Sequence, residues 1–473
     1  MTTNNTQLST LSDADRIFKI HQESHWKYGQ RSIRDRKKDL KKLKAAVLKY
    51  RDRVAEAVDK DFSKSRFESD MSEIFPTVSA IRHALKHIDK WASIRPVSTP
   101  LSLIGTKAWI KPQPKGSTLI IAPWNFPFML CLEPLIGALA AGNVAVLKPS
   151  EATPLTAQVI ADMIAETFDE EQVAVLQGGP ELSAHLCSLP FHHIFFTGGT
   201  EIGKKIMEAA AKNLTSVTLE LGGKSPAIVD ASAKLWDTAS RIVQGRFLNG
   251  GQVCIAVDHV IVDASVHDKL VEHMKKQIRI QFPAERNDMS AMVHSDHYDR
   301  MKSLLNDAQE KGGVIYSHGT LDDSKRYFPP TLILNANHSM RVMQEEIFGP
   351  ILPIFKVANE AEMLKTIQEQ GDRPLSFYIF SSSNVSKKKY FQHSRAGSTG
   401  INDVIVQFQH PNLPFGGVNS SGIGKAHGEA GFDEFSSFRS VVSQRWKGNA
   451  SSLVRPPYTA FKQKVIDLMI RWF

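Results

Sequence analysis

Hydrophobic side chains recur at every third or fourth position over residues 12–92, a spacing that predicts helices with one buried face. The clearest example is the segment 31–54, where lysine and arginine fill many of the positions between the hydrophobic ones. The residues on its predicted buried face are Leu40, Leu43, Val47, Tyr50 and Val54. We therefore expect an amphipathic helix whose basic side chains face solvent.

The pattern changes after residue 107, where short β-branched and apolar runs begin to alternate with helical stretches. The runs are "STLIIAP", "NVAVLKP", "VAVLQGG", "HIFFTGG", "VTLELGG" and "SPAIVD", and the helical stretches include 131–141, 155–168 and 201–212. A second series starts at about residue 254. This alternation is typical of parallel sheets with crossover helices, so it predicts an α/β protein with two domains. The segments 99–116 and 438–448 remain as candidate edge strands outside both cores.

Composition narrows the class of protein. A chain of 473 residues, 42% of them hydrophobic, is long enough for two or more domains with large cores. The net charge of +9 is spread along the chain, and no nucleic-acid-binding motif accompanies its densest run, so we expect no nucleic-acid partner. No segment approaches the roughly 20 uninterrupted apolar residues of a membrane span.

The cysteines bear on the cellular compartment. Only three occur, Cys131, Cys187 and Cys254, and no two form a Cys-x-x-Cys pair. They predict neither a disulfide framework nor a metal site, and reduced thiols favour a reducing compartment. The N-terminus lacks the long apolar core of a signal peptide, so we expect a cytoplasmic location.

Cys254 directly follows the glycine-containing stretch "NGGQV". It also opens the apolar run "CIAVDHVIV", which predicts a strand. A buried cysteine often acts only as a small hydrophobic residue. Taken alone, the motif leaves a structural role and a chemical role open.

The stretch "FTGGTEIGKKI" (196–206) follows a predicted strand and opens a predicted helix, so its backbone N–H groups could hold a phosphate. It nearly matches two nucleotide-binding patterns. The dinucleotide pattern needs glycine in place of Thr200, and the nucleoside triphosphate loop needs a hydroxyl in place of Lys205. A tight turn without a ligand is the alternative.

Several polar side chains stand at or near the ends of predicted strands, where open α/β sheets bind ligands. Lys148 and Glu151 in "LKPSE" could hold ribose hydroxyls, and Asn125 in "APWNFP" could donate a hydrogen bond to an oxyanion. Glu220 in "LELGGKSP" would be costly to bury unless it has a partner or acts in a cleft, and Glu346 in "QEEIFGPIL" supplies another acid. Each could instead be a surface charge or a turn residue.

The motifs occur together in an order that resembles the aldehyde dehydrogenase superfamily, from about residue 20 to residue 445. They are "APWNFP", "LKPSE", "FTGGTEIGK", "LELGGKSP", "GGQVC", "EEIFGP" and "PFGGVNSSGIG". The short N-terminal lead and the C-terminal extension resemble the class 3 branch, and "RPPY" resembles its bacterial coniferyl-aldehyde dehydrogenase type. That branch usually has Ala-Pro-Asp-Tyr soon after the cysteine, whereas this chain has "AVDH" with Val257 and His259, a departure that bears on the substrate channel.

The resemblance implies an α/β fold with a Rossmann-like cofactor domain, an α/β catalytic domain and a small β oligomerisation element. The implied parts are a NAD-binding domain of 1–98 and 117–219, a catalytic domain of 220–437, oligomerisation strands in 99–116 and 438–448, and a tail of 449–473. A homodimer is the expected assembly, formed through the candidate edge strands.

The resemblance also implies roles for the site residues. Cys254 would be the nucleophile, Asn125 and the Cys254 backbone N–H would hold the oxyanion, and Glu220 would activate water to hydrolyse a thioester. The cofactor would be NAD, with NADP as a second choice. The residues implied in cofactor binding are Trp124, Lys148, Glu151, Gly198, Gly203, Glu346 and Phe348.

The implied function is NAD(P)-dependent oxidation of a hydrophobic aldehyde to a carboxylic acid. An aromatic aldehyde such as coniferyl aldehyde is the leading substrate, and a medium- or long-chain aliphatic aldehyde is the second. A CoA-acylating aldehyde dehydrogenase is the nearest alternative, but those enzymes generally lack the glutamate at Glu220. A nucleoside triphosphatase and a non-catalytic binding protein are alternatives from other classes.

The last sixteen residues, "YTAFKQKVIDLMIRWF" (458–473), carry hydrophobic side chains at helical spacing. These are Phe461, Val465, Leu468, Met469 and Trp472. The segment is too short and too charged to span a bilayer. An amphipathic helix is expected, which packs on the core, covers the substrate entrance or makes a peripheral membrane contact.

Overall fold

The computed structural model describes residues 8–283, 289–369, 373–445 and 455–472. Its α-helices are α1 (Leu11–Gly29), α2 (Ile33–Phe62), α3 (Arg66–Ser69), α4 (Phe75–Trp91), α5 (Met129–Ala141), α6 (Pro154–Thr167), α7 (Pro180–Ser188), α8 (Thr200–Ala211), α9 (Leu235–Phe247), α10 (His267–Gln281), α11 (Ser295–Glu310), α12 (Arg341–Gln344), α13 (Glu360–Glu369), α14 (Asn384–His393), α15 (Val406–Gln409), α16 (Gly428–Glu434) and α17 (Ala460–Trp472). Its strands are β1 (Arg95–Val97), β2 (Thr106–Pro114), β3 (Ser117–Ile121), β4 (Val144–Lys148), β5 (Val173–Val175), β6 (His193–Thr197), β7 (Ser216–Glu220), β8 (Pro226–Val229), β9 (His259–Asp263), β10 (Val314–Ser317), β11 (Thr331–Leu334), β12 (Ile351–Val357), β13 (Ser376–Phe380), β14 (Ser398–Ile401), β15 (Gly422–Ile423) and β16 (Ser436–Gln444).

Helix α2 confirms the amphipathic pattern of the N-terminal region. All five hydrophobic residues assigned to its buried face are buried, and they pack in one cluster with residues of α4, α5 and α6. Ser32 caps its start by accepting a hydrogen bond from the Asp35 N–H at 3.2 Å. At its end Ser63 takes a left-handed conformation (φ 56°), which ends the helix just before Lys64.

A six-stranded sheet carries the first α/β series in the order β15-β7-β6-β3-β4-β5. All its pairings are parallel except that of β15, and β3 and β4 are buried along their whole length. From β3 the chain builds the sheet first toward β5 and then, through β6, toward β7. The order therefore reverses between β3 and β6, and such a reversal opens a crevice at the carboxyl ends of the strands.

A seven-stranded sheet carries the second series in the order β10-β11-β12-β9-β8-β13-β14, parallel except for the β10-β11 pair. Strand β8 belongs to this sheet although it follows β7 after only five residues. The segment 221–225 is therefore the crossing from the first sheet to the second, and it continues from Glu220 at the end of β7.

Two elements late in the chain return to the first sheet. Strand β15 pairs with β7, and α16 packs on α5, where a Cβ on Gly137 would lie 2.9 Å from the Gly431 carbonyl oxygen. Residues 422–434 therefore pack with the six-stranded sheet, although the sequence analysis placed them in the catalytic domain of 220–437. The reason is that the backbone of β15 pairs with the end of β7, where Gly422 lies opposite Glu220. The local sequence pattern gives no sign of this long-range contact.

A three-stranded antiparallel sheet has the order β1-β2-β16. The sequence prediction of an edge strand within 99–116 is wrong, because β2 is the central strand of this sheet and has neighbours on both sides. The nine-residue β16 leaves its other edge without a partner strand among the described residues. Residues 446–448 of the predicted strand 438–448 lie outside the described part of the chain.

The tail contains helix α17, and its hydrophobic residues Phe461, Leu468 and Ile470 are exposed. The Trp472 side chain and residues 449–454 and 473 lie outside the described residues. The role of the tail as core packing, channel cover or membrane contact stays a prediction. Within the described ranges, no helix has the length and apolar character needed to cross a membrane.

Candidate active site

A cavity of about 460 Å³ lies at the crevice beside the strand-order reversal. Seven of the ten predicted site residues line it: Trp124, Asn125, Gly198, Glu220, Cys254, Glu346 and Phe348. Lys148, Glu151 and Gly203 do not line it. Residues that are more than 220 positions apart in the chain therefore meet at one site.

Cys254 lies in a loop and not in a strand. The predicted strand "CIAVDHVIV" begins only at His259, because the preceding residues turn the chain toward the cavity. Asn249, Gly250 and Gly251 all have positive φ, of 53°, 62° and 74°. Three successive left-handed residues reverse the backbone and place the half-buried Cys254 thiol in the cavity wall.

The two glycines before Cys254 are required by close backbone packing. A Cβ on Gly251 would lie 2.3 Å from the Gly349 carbonyl oxygen, and one on Gly250 would lie 2.7 Å from the Ser290 carbonyl oxygen. Because these neighbours are backbone atoms, the turn can pack against them only with glycine at both positions.

Asn125 is held at three points within the structure. Its side-chain amide donates to the Gln252 backbone carbonyl oxygen at 3.0 Å. Its backbone carbonyl oxygen accepts from the Asn249 side-chain amide at 2.8 Å and from the Lys64 ammonium at 3.3 Å. The bond to Gln252 uses one of the two amide hydrogens. The second hydrogen could serve an oxyanion beside Cys254, where the Cys254 backbone N–H provides a second donor.

Glu220 ends β7 as a buried carboxyl group whose two oxygens have no hydrogen-bond partner among the described residues. Burial raises its pKa well above the usual range, and the Lys425 ammonium opposes that rise. A buried acid without a partner is costly, so its presence in a cavity wall points to a chemical task.

Glu346 is the second acid of the cavity. A Cβ on Gly222 would lie 2.3 Å from one of its carboxylate oxygens, so the carboxylate rests against the backbone that crosses between the two sheets. Burial, with a smaller contribution from Asp258, raises the pKa of Glu346 to about 7. This group therefore titrates near neutral pH.

The Cys254 thiol lines the same cavity as these two acids. Burial, and then the neighbouring Glu346 and Glu220 carboxylates, raise the pKa of Cys254 to about 12. The backbone N–H groups of Cys254 and Ile255 act in the opposite direction. This raised pKa favours the protonated thiol over the thiolate at neutral pH.

Comparison with known proteins decides the family. A family model described as "Aldehyde dehydrogenase family" matches residues 2–441. The chain belongs to the aldehyde dehydrogenase family. It is 41% identical to 4,4'-diaponeurosporen-aldehyde dehydrogenase of Staphylococcus aureus over 431 residues, which covers 90% of this chain and 93% of that protein. It is 38% identical to a probable coniferyl aldehyde dehydrogenase of Caulobacter vibrioides, covering 96% and 97% of the two chains.

A solved structure agrees with these relatives. The substrate-bound state of Staphylococcus aureus AldH superposes with a TM-score of 0.91 at 39% identity, covering 98% of this chain and 100% of that one. The superfamily, the fold and the resemblance to the coniferyl type predicted from sequence are thus confirmed. The protein is an aldehyde dehydrogenase and an oxidoreductase, which leaves the triphosphatase and the non-catalytic binding protein without support.

Three of the residues predicted to bind the cofactor lie outside this cavity of the aldehyde dehydrogenase. Lys148 ends β4 and is buried, and its ammonium lies 2.5 Å from the half-exposed Glu151 carboxylate. Helix α8 begins after Gly199, which has open space where a Cβ would stand and no side-chain cap. An uncapped helix start beside the sheet crevice fits the diphosphate of a dinucleotide. Gly203 serves packing, since a Cβ there would lie 2.7 Å from Leu221.

Aromatic rings close the same side of the cavity. The Trp124 ring meets the Phe348 ring edge to face at 5.3 Å and the His297 ring at 4.9 Å. Phe348 has a positive φ of 53°, a strained conformation for an aromatic residue. Together they form a rigid apolar wall beside Cys254 that suits the flat face of a nicotinamide.

Two partly buried cations that sequence reasoning missed hold the segment carrying Glu346. Arg300 donates to the carbonyl oxygens of Glu346 and Ile347 at 2.5 and 2.6 Å. Lys224 donates to the Glu345 carbonyl oxygen at 3.0 Å and pairs with Asp258. Lys224 lies within the motif "LELGGKSP", whereas nothing in the sequence around Arg300 marks it.

The raised thiol pKa predicts how Cys254 reacts in the enzyme without cofactor. Its alkylation rate with iodoacetamide should climb about tenfold per pH unit from pH 7 to pH 10, because the thiolate fraction rises throughout this range. Mass spectrometry of the peptide containing Cys254 measures the rate, and the variant Cys254→Ser gives the background. A plateau near pH 9, as for an ordinary thiol of pKa about 8.5, would contradict the prediction.

Proposed function

We propose that this enzyme oxidises a hydrophobic aldehyde to the carboxylic acid, with NAD as hydride acceptor and Cys254 as nucleophile. The observation that carries the proposal is the convergence of Cys254, Asn125 and Glu220 on one cavity. A nucleophile, an oxyanion donor and a base are the groups that aldehyde oxidation through a thioester requires.

The first half-reaction uses the Cys254 and Asn125 groups. The Cys254 thiolate attacks the aldehyde carbon, and the new oxyanion accepts hydrogen bonds from the Asn125 amide and the Cys254 N–H. NAD, when bound, supplies the acceptor for the hydride that this adduct loses. The acyl group then remains on the Cys254 sulfur as a thioester.

The second half-reaction uses Glu220. Its carboxylate, once deprotonated, takes a proton from water, and the resulting hydroxide attacks the thioester and releases the carboxylic acid. The raised pKa makes Glu220 a strong base in that state. Its unpartnered oxygens can accept the hydrogen bond of a water molecule.

Residues on three segments would hold the cofactor. Glu346 would bind the nicotinamide ribose, with Trp124 and Phe348 beside the ring. Gly198 and the start of α8 would face the diphosphate, and Lys148 and Glu151 the adenosine ribose.

The cavity lining supports a hydrophobic substrate. The apolar side chains that surround it include Phe75, Phe126, Leu130, Phe408 and Phe415. Relatives named for coniferyl aldehyde and for 4,4'-diaponeurosporen-aldehyde support the same class. We propose an aromatic aldehyde such as coniferyl aldehyde first and a medium- or long-chain aliphatic aldehyde second, and initial rates over both kinds decide between them.

We also propose that the enzyme works in a reducing compartment, the cytoplasm. Cys131, Cys187 and Cys254 are all free thiols, and the first two are buried. Oxidation of Cys254 would remove the nucleophile.

The Glu220→Gln variant should separate the two half-reactions. We expect a burst of about one NADH per active site followed by turnover slowed roughly 10²- to 10⁴-fold, because only the second half-reaction needs the base. Stopped-flow absorbance measures both phases. Glu133→Gln, which changes another carboxylate of the same cavity, is the matched control and should keep turnover.

Product analysis completes this test. Free carboxylic acid with or without added CoA supports hydrolysis, whereas acyl-CoA as the main product would overturn it. Loss of the burst in Glu220→Gln would show that Glu220 also governs thiolate formation.

NAD should be preferred over NADP by roughly tenfold or more in kcat/KM, because the Glu151 carboxylate accepts hydrogen bonds from ribose hydroxyls and repels a 2′-phosphate. The Lys148 ammonium offsets part of that repulsion. Glu151→Gln should narrow the preference, and Glu208→Gln on the exposed face of α8 should leave it unchanged. Steady-state rates with both cofactors measure this, and equal or better kcat/KM with NADP would defeat the assignment.

The enzyme should be a homodimer formed through the free edge of β16, where Val442 is exposed. Val442→Lys should weaken the dimer, because it places a charge in the expected interface. Val314→Lys changes an equally exposed valine on β10, at the edge of another sheet, and should leave the assembly intact. Light scattering at micromolar concentration measures the mass, and a monomeric parent enzyme would refute the proposal.

A further inference from the structure

A fully buried ion pair lies behind the proposed oxyanion donor. The Lys64 ammonium is 2.8 Å from the Glu73 carboxylate, and neither side chain has exposed surface. The ammonium also lies over the rings of Phe62 and Phe126, at 5.0 and 4.4 Å from their centroids. Burying a charge pair costs several kcal/mol per ion before attraction is counted, so this arrangement is not explained by stability alone.

The two side chains of this pair also contact Asn125 and the start of the helix that follows it. Lys64 donates to the Asn125 carbonyl oxygen at 3.3 Å. The second oxygen of Glu73 accepts the Met129 N–H at the start of α5, at 2.9 Å. The segment 125–129 is therefore held at its first and last residue by one ion pair.

Glu68, four residues after Lys64, contacts the turn that precedes Cys254. Its carboxylate accepts the Asn249 N–H at 2.6 Å and the Ser290 hydroxyl at 3.1 Å, and the side chain is buried. Asn249 is the first left-handed residue of the turn that leads to Cys254. Glu68 thus fixes the start of the reversal that sets the Cys254 backbone.

We propose that Lys64 and Glu68 are positioning residues for the oxyanion hole. Lys64 positions Asn125, and Glu68 positions the turn 249–251. Glu68 lies in α3, and Lys64 lies two residues before the start of that helix, so the two anchors belong to one short segment of the chain. The inference rests on the proposed roles of Asn125 and of the Cys254 N–H. Oxyanion stabilisation depends on donor placement to within about an ångström, so remote anchors of both donors act on the rate of the first half-reaction.

A double-variant cycle tests the Lys64 contact. Lys64→Met combined with Glu73→Gln removes both charges together and leaves an acceptor for the Met129 N–H. We expect the rate constant of the NADH burst to fall about 10- to 100-fold, while the aldehyde KM and the NAD dissociation constant stay within about threefold. Asn125→Ala alone should lower the burst rate about 10²- to 10³-fold. In the Asn125→Ala background, the Lys64→Met/Glu73→Gln change should lower the burst rate by less than a further factor of about two, because no side-chain amide remains to be positioned.

A second series tests Glu68 without depending on how that combined variant folds. Glu68→Leu leaves the Asn249 N–H without its acceptor and should lower the burst rate at least about tenfold. Glu68→Gln keeps an acceptor and should restore the rate to within about threefold of the parent. Asp61→Asn is the matched control, because Asp61 is a buried carboxylate that accepts the Leu155 and Thr156 N–H groups at the start of α6. It should lower the melting temperature without changing the burst rate.

The outcomes separate this inference from the function on which it rests. An unchanged burst rate in Asn125→Ala would remove the proposed oxyanion role itself. A full Lys64/Glu73 effect in the Asn125→Ala background, or equal losses in Glu68→Leu and Asp61→Asn that follow only the melting temperature, would assign Lys64 and Glu68 to stability and overturn the positioning role.

Discussion

The site depends on one close backbone approach, that of the turn 249–251 to the strand-leading segment at Gly349. No side chain fits between Gly251 and the Gly349 carbonyl oxygen, so the two segments lock together directly. Glu346 lies three residues before Gly349, and Cys254 lies three residues after Gly251. The proposed nucleophile and the acid proposed for the cofactor ribose are therefore placed relative to each other by backbone contact, which tolerates far less movement than contact between flexible side chains.

Cations that are buried or partly buried hold the other segments of the site by their backbone carbonyl oxygens. Lys64 contacts Asn125 in this way, and Arg300 contacts Glu346. Lys425 donates to the Gly416 carbonyl oxygen at 2.6 Å, beside Glu220. An ammonium or guanidinium group bonded to a carbonyl fixes the backbone and leaves the neighbouring functional side chain free to react. The basic residues near the cavity thus act mainly as anchors of the chain.

The same burial that excludes water also sets the protonation states. Cys254, Glu220 and Glu346 all have raised pKa values because each would carry negative charge in a desolvated cavity, and the Glu346 and Glu220 carboxylates further disfavour the thiolate of Cys254. Three anions at once are unfavourable there, so proton removal from Cys254 and from Glu220 is best separated in time. This agrees with a reaction in which the thiol acts in the first half and the carboxylate in the second.

The sequence by itself determined the local elements and the chemistry-bearing motifs. The periodicity of α2 and the apolar runs of β3, β4 and β6 predicted those elements, because burial on one face or on both faces leaves a regular spacing of hydrophobic residues. The motifs around Asn125, Glu220 and Cys254 marked the polar groups that now share a cavity, and resemblance supplied their roles.

Only the tertiary structure decided how these elements and groups meet. It placed β8 in the second sheet, returned β15 to the first, enclosed β2 between two strands and began the strand after Cys254 at His259. It also brought Glu68 to Asn249 across 181 positions. Such contacts leave no local signal, because every residue carries a carbonyl and an N–H group and the choice among them depends on packing over the whole molecule.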